Sequence, residues 1–159
     1  EGPEVLEALR FRLETHLEDP TRDPLSAQVW DSYLKLPTLL KEPFTILDAG
    51  CMSGFLYHHL KRYFKDFIYT GVDRWPEALQ VAREFAPEVR FIEADFTEEM
   101  FGKYDYVVCS NIPWKSVEHY METTKLLAKQ TQRTLFMLLP NSEIVVFERP
   151  PRSPGDAGS

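Results

Sequence analysis

From Phe44 to Leu138 short apolar runs alternate with amphipathic stretches, and this alternation constrains the fold more than any other feature of the chain. "FTILDAG" (44–50), "FIYTGVD" (67–73), "VRFIEADF" (89–96), "YDYVVCSN" (104–111) and "RTLFMLLP" (133–140) have the composition of strands. Between them "GFLYHHLKRYF" (54–64), "WPEALQVAREF" (75–85, with Pro76 near its first turn) and "VEHYMETTKLLAKQ" (117–130) have helical spacing. Strands that are apolar almost residue by residue are covered on both faces, as in a parallel sheet between helices. Repeated βαβ units give a doubly wound α/β domain with right-handed crossovers. Only "PNS" (140–142) separates the last strand from "EIVVFER" (143–149). That is too short for a parallel crossover, so the sheet should close on an antiparallel hairpin. The expected fold is three-layered α/β, with about six mostly parallel strands and helices on both faces.

Ahead of this region, Val5, Leu6, Leu9, Leu13 and Leu17 recur at helical spacing from Pro3 onward, and "EDPTRDPLS" (18–26) interrupts with two prolines. A second helix is expected from Ser26, its cap, to Leu40, with Pro37 disturbing its end. Residues 1–40 therefore form a helical lid, 41–149 the core domain, and the Pro/Gly/Ser-rich 150–159 a disordered tail. A length of 159 residues at 43% hydrophobic content suits one domain with a sizeable core. No apolar run approaches the ~20 residues that cross a bilayer. The net charge of −7 weighs against grip on a nucleic-acid backbone. Cys51 and Cys109 sit inside apolar stretches without CxxC or HExxH spacing. They read as small buried hydrophobes of a reduced, cytoplasmic protein, and no metal centre is expected.

In an open α/β sheet, ligands bind beyond the carboxyl ends of the strands. The first strand delivers Asp48, Gly50 and Gly54 there, the second Asp73, the third Asp95, and the fourth Asn111, Pro113 and Trp114. Each alone has a plain reading, since glycines turn and aspartates cap. Together they place polar groups at four neighbouring strand ends. Asp73 follows Gly54 by about 20 residues, the separation at which an acidic residue meets a ribose after a glycine turn. A carboxylate accepts two donors at once, so it can take both ribose hydroxyls, and it repels a 2′-phosphate.

In order, spacing and attachment to strand ends, "LDAGCMSGFLYHHL", "YTGVDRWPEAL", "VRFIEADF" and "YDYVVCSNIPW" resemble the successive motifs of class I S-adenosylmethionine-dependent methyltransferases, over Phe44 to Leu139. The resemblance implies a Rossmann-like methyltransferase sheet and S-adenosyl-L-methionine as cofactor. It implies that Asp48 and the Gly50–Gly54 turn border the methionine moiety and that Asp73 holds the ribose. Arg74 or Trp75 would lie against the adenine, Asp95 would accept from its amino group, the Phe96 N–H would donate to a ring nitrogen, and Asn111 would lie near the sulfonium. A cationic cofactor without phosphates suits an acidic pocket. Met52 departs from the family, which usually has glycine there. Three readings stand: the methionine is tolerated, it reshapes the pocket, or the domain has lost its cofactor.

"SNIPW" (110–114) is the clue to an acceptor. It resembles the Asn-Pro-Pro-aromatic motifs of methyltransferases acting on planar amino groups, which implies that Asn111 accepts from the amine and Trp114 stacks on it. Alternatively, Asn111 merely ends the strand and Trp114 anchors the next helix. His119, close behind this loop, is the best candidate for a general base, while His58 and His59 suit solvated positions. The expected function is methyl transfer to a small molecule or an exposed protein group. The alternatives are a non-catalytic binding or scaffolding domain and an amino-group methyltransferase on nucleic acid. The sheet looks short of one strand, so a partner subunit, most simply in a homodimer, would complete the substrate pocket.

Overall fold

The computed structural model describes residues 2–22, 27–110 and 114–150. The sequence-derived cap at Ser26, the tail from Pro151 and the site residue Asn111 lie outside the described residues.

Six strands form one sheet: β1 (Phe44–Ala49), β2 (Phe67–Asp73), β3 (Arg90–Glu93), β4 (Tyr104–Ser110), β5 (Thr131–Leu138) and β6 (Ile144–Glu148), in the order β3-β2-β1-β4-β5-β6. The first five are parallel and β6 is antiparallel to β5, as the short "PNS" connection requires. Strand order reverses between β1 and β4, which opens a crevice at their carboxyl ends. Register aligns those ends: Ala49 pairs with Val72 and with Cys109, and Asp73 pairs with Glu93. The carboxyl ends of β1 to β4, and the residues that follow β1 to β3, therefore lie along one edge.

Successive residues of β1 explain the continuous apolar runs. Ile46 belongs to a core on one face of the sheet and Leu47 to a core on the other, both fully buried. The first face carries α1 (Pro3–Glu18), α2 (Ala27–Lys35), α3 (Phe55–Leu60) and α4 (Pro76–Phe85); the second carries α5 (Val117–Lys129) through Leu127. Helices thus cover both faces, unevenly. The chain from β3 to β4 fills the second face with Phe96 and Phe101 instead of a helix.

Several boundaries differ from expectation. α3 stops at Leu60, where the Arg62 N–H turns to the His59 carbonyl in a tighter, three-residue bond. β3 stops at Glu93, because Asp95 folds its side chain onto the N–H and hydroxyl of Thr97 and starts a turn. α2 gives way at Leu36 to a 3₁₀ turn, Leu36–Leu39, containing Pro37. Leu9, Leu13, Val29 and Leu36 of the N-terminal helices pack in the first core together with Ile46 of β1. α1 rests on α4 and α3, and Arg10 forms a two-pronged bond to Glu84 of α4 (2.7 and 2.8 Å). His59, expected in solvent, is fully buried beneath α2 and donates from Nε2 to the Tyr33 carbonyl at 2.8 Å. Burial foremost holds both His58 and His59 down to about 4, so each is neutral near pH 7.

Candidate functional site

The turn after β1 is tied to β2 before it reaches the cleft. The N–H groups of Gly50 and Cys51 both donate to the Val72 carbonyl, at 2.8 and 3.1 Å. Backbone φ is then positive at Gly50 (87°), Met52 (49°) and Gly54 (85°). Position 52 is left-handed, which explains why a glycine suits it and why a methionine there is strained by roughly 1–2 kcal/mol. That conformation aims the Met52 N–H at Asp73 Oδ2, 2.8 Å away, and the Trp75 N–H donates to Asp73 Oδ1 at 3.0 Å. Asp73 therefore links the turn after β1 to the start of α4. The Met52 side chain is half-buried and packs against the first core. Close packing under the turn also requires Gly71, whose added Cβ would lie 2.8 Å from the Phe91 ring and 2.9 Å from Cys51 Sγ.

Asp48 is fully buried at the end of β1. Its Oδ2 accepts from the Tyr69 hydroxyl at 2.5 Å, while Oδ1 has no hydrogen-bond partner among the described residues. Burial pushes its carboxyl up to about 7; the Tyr69 bond opposes this and the charge of Asp73 adds to it. An unsatisfied buried carboxylate oxygen is costly and points to a partner supplied from outside the fold.

A cleft of about 250 Å³ opens at the point where strand order reverses. Gly50, Asp73, Arg74, Asp95, Phe96 and Thr97 line it from the ends of β1 to β3, and Lys115 and His119 line it from the β4–α5 side. Asp73 and Asp95 thus face the same space. Asp95 Oδ1 accepts from the Thr97 N–H (2.9 Å) and hydroxyl (2.6 Å), and Oδ2 lies 3.3 Å from Arg74 Nη1. Burial raises this carboxyl, but the bonds from Thr97 and Arg74 outweigh it and hold it below the usual range. A neighbouring, more open depression lies between Asp73, Arg74, Trp75 and Glu77. Trp114 does not line the cleft; it is half-buried on the second core, edge-on to Tyr120 at 5.1 Å and tilted to His119 at 5.5 Å.

The structure therefore brings together Gly50, Asp73, Arg74, Asp95, Phe96 and His119 in one cleft. It buries Asp48 near the end of β1 and puts Met52, Gly54 and Trp114 in packing positions. Thr97 and Lys115 were not anticipated. Thr97 had a signal, the Asp-x-Thr pattern that closes a side-chain turn; Lys115 had none. Among the described residues no cluster of three metal-ligating side chains occurs, both cysteines are buried and free, and no helix is long and apolar enough to cross a membrane.

A parallel sheet reversing order at β1/β4, with a glycine turn after β1 and carboxylates after β2 and β3, defines a Rossmann-like domain built to hold an adenosine-type cofactor. Residues 46–133 match the family described as "Methyltransferase domain", and the chain belongs to that family. It is 30% identical over 136 residues to trans-aconitate 2-methyltransferase of Rhodopseudomonas palustris (strain BisA53), covering 86% of this chain and 46% of that protein. The chain thus spans about half the length of that relative. Among solved structures it resembles the TehB-like SAM-dependent methyltransferase from Corynebacterium glutamicum (TM-score 0.65, 15% identity, 86% of this chain and 73% of that one). It also resembles magnesium protoporphyrin IX methyltransferase from Synechocystis PCC 6803 with bound SAM (TM-score 0.54, 20% identity, 86% and 63%). At these identities the two structures speak for the fold.

Proposed function

We propose that this domain binds S-adenosylmethionine and transfers its methyl group to a small-molecule acceptor. The observation that carries the reading is the convergence of Asp73 and Asp95, from adjacent strand ends, on one cleft beside the Gly50 turn. The donor set fits the cofactor. Among the described residues each Asp73 oxygen accepts one N–H, so lone pairs remain for two ribose hydroxyls. Asp95 and the Phe96 N–H would meet the edge of the adenine, with Arg74 and Trp75 along its face. The unpartnered Oδ1 of Asp48 suits the cationic amino-acid end of the ligand, beside Gly50 and Gly54. When bound, the cofactor supplies an electrophilic methyl on a sulfonium; the protein's share is to orient the acceptor in line and exclude water.

The side chain of Met52 packs on the core, and its backbone serves Asp73. This packing supports the cofactor-binding reading over a cofactor-free scaffold as far as Met52 is concerned. The acceptor role considered for Trp114 is disfavoured by its packing against Tyr120. A small acceptor accords with the relative named for trans-aconitate. Calorimetric titration tests the reading: S-adenosylmethionine and S-adenosylhomocysteine should both bind saturably. Asp73→Asn should weaken both by about tenfold or more, through loss of a charged acceptor. No heat of binding at millimolar cofactor would remove the proposal.

A further inference from the structure

We propose that the methyl acceptor is a small carboxylic acid whose carboxylate is held by the Lys115 ammonium and the Nε2–H of His119. The inference rests on the cofactor reading above and adds the acceptor class to it. Charge divides the cleft. Its β2 and β3 side presents Asp73, Asp95 and Arg74, and Arg74 is already paired with Asp95. Its β4–α5 side presents Lys115, exposed at the rim and with no recorded ion pair among the described residues, and His119. The Lys115 N–H donates to His119 Nδ1 at 3.4 Å. A ring nitrogen that accepts carries no hydrogen, so this bond sets the tautomer with the hydrogen on Nε2, which offers a donor there. Ammonium and imidazole N–H together suit an anion with more than one oxygen.

Among the described residues the same geometry leaves no free base in the cleft. His119 Nδ1 is engaged by the backbone, and Asp73 accepts an N–H on each oxygen and commits its remaining lone pairs to the ribose in the proposed complex. Asp95 is held by Thr97 and Arg74 below the ordinary carboxylate range, which makes it a poor proton acceptor. An alcohol, phenol, alkyl thiol or ammonium acceptor would have to lose a proton to react. A carboxylic acid is already ionised near pH 7. One carboxylate oxygen then forms the O–CH₃ bond as the carbon–sulfur bond breaks. The electron pair leaves with sulfur, and the products are a methyl ester and a neutral thioether. No proton moves.

The test incubates the full chain with methyl-labelled cofactor and trans-aconitate, succinate or benzoate, set against catechol, phenethylamine and 2-mercaptoethanol. Label should appear only in the acids and be released as methanol by mild alkali. Lys115→Met should raise KM for the acid about tenfold with a smaller change in kcat. Its cofactor affinity by calorimetry should stay within about twofold, and Lys115→Arg should recover most of the loss. Alkali-stable label in the phenol, amine or thiol, no label in any acid although cofactor binds, or an unchanged KM in Lys115→Met would each overturn the proposal. Failure of the wild-type chain to bind cofactor would instead overturn the reading beneath it.

Discussion

Met52 shows how one residue can break a pattern without breaking a site. Its φ of 49° is a conformation that glycine adopts freely and a side chain adopts at a cost. The position is retained in shape because the Met52 N–H must reach Asp73. A flexible, unbranched side chain tolerates this; a β-branched one does not, because its second γ substituent crowds the left-handed backbone. Met52→Val should therefore destabilise the domain by about 1–2 kcal/mol in urea denaturation. Met52→Gly, gaining backbone ease and losing partial burial, should stay within about 1 kcal/mol of wild type. Cofactor affinity should change little in the glycine variant, since the methionine side chain is outside the cleft. Sequence alone marked position 52 as the exception. The direction of the side chain was not legible, because it depends on the core that α1 to α4 assemble on that face.

At the scale of elements, α1 is part of the structure that holds the cleft in place. None of the described residues 2–22 and 29–40 lines the cleft; α1 lies behind it, against α4 and α3, the two helices that follow the Gly50 turn and Asp73. Leu13 is fully buried within that layer. Leu13→Ala should cost about 2–5 kcal/mol of unfolding free energy. The urea transition should remain single, with an unchanged slope, because one core spans α1 and the sheet. Two separated transitions would show that the N-terminal helices form their own unit. The helical spacing of Leu9 and Leu13 announced the helix itself. Its partner was not announced, since an apolar stripe states how much must be buried and not against what.

For the whole molecule, buried ionisable groups of opposite type make stability respond to pH from two sides. Asp48, raised to about 7 in the fold, binds a proton that the unfolded chain has already released. Its contribution is complete below about pH 4 and is lost as pH rises toward 7. His58 and His59, lowered to about 4, act in the other direction: their contribution is present above about pH 6.5 and is lost as pH falls toward 4. Wild-type stability therefore has partly cancelling slopes. Asp48→Asn removes one of them, so the stability of the variant relative to wild type should rise steadily between pH 4 and 7. Chemical denaturation across that range measures the difference. A flat difference would mean that Asp48 is ionised throughout.

The chain's own order of residues determined the alternation of strand and helix, the closing hairpin, and the positions of Gly50, Asp73 and Asp95 at strand ends. These are local matters: periodicity selects the element, a short connection forbids a crossover, and strand polarity places a residue at one edge. Only the tertiary structure decided that Met52 faces the core, that His59 is buried beneath Tyr33, that Lys115 joins the cleft and that Trp114 packs beside Tyr120. Each of those depends on which distant elements meet. That outcome follows from burying both faces of one sheet at once, a balance over the whole chain that no window of neighbouring residues contains.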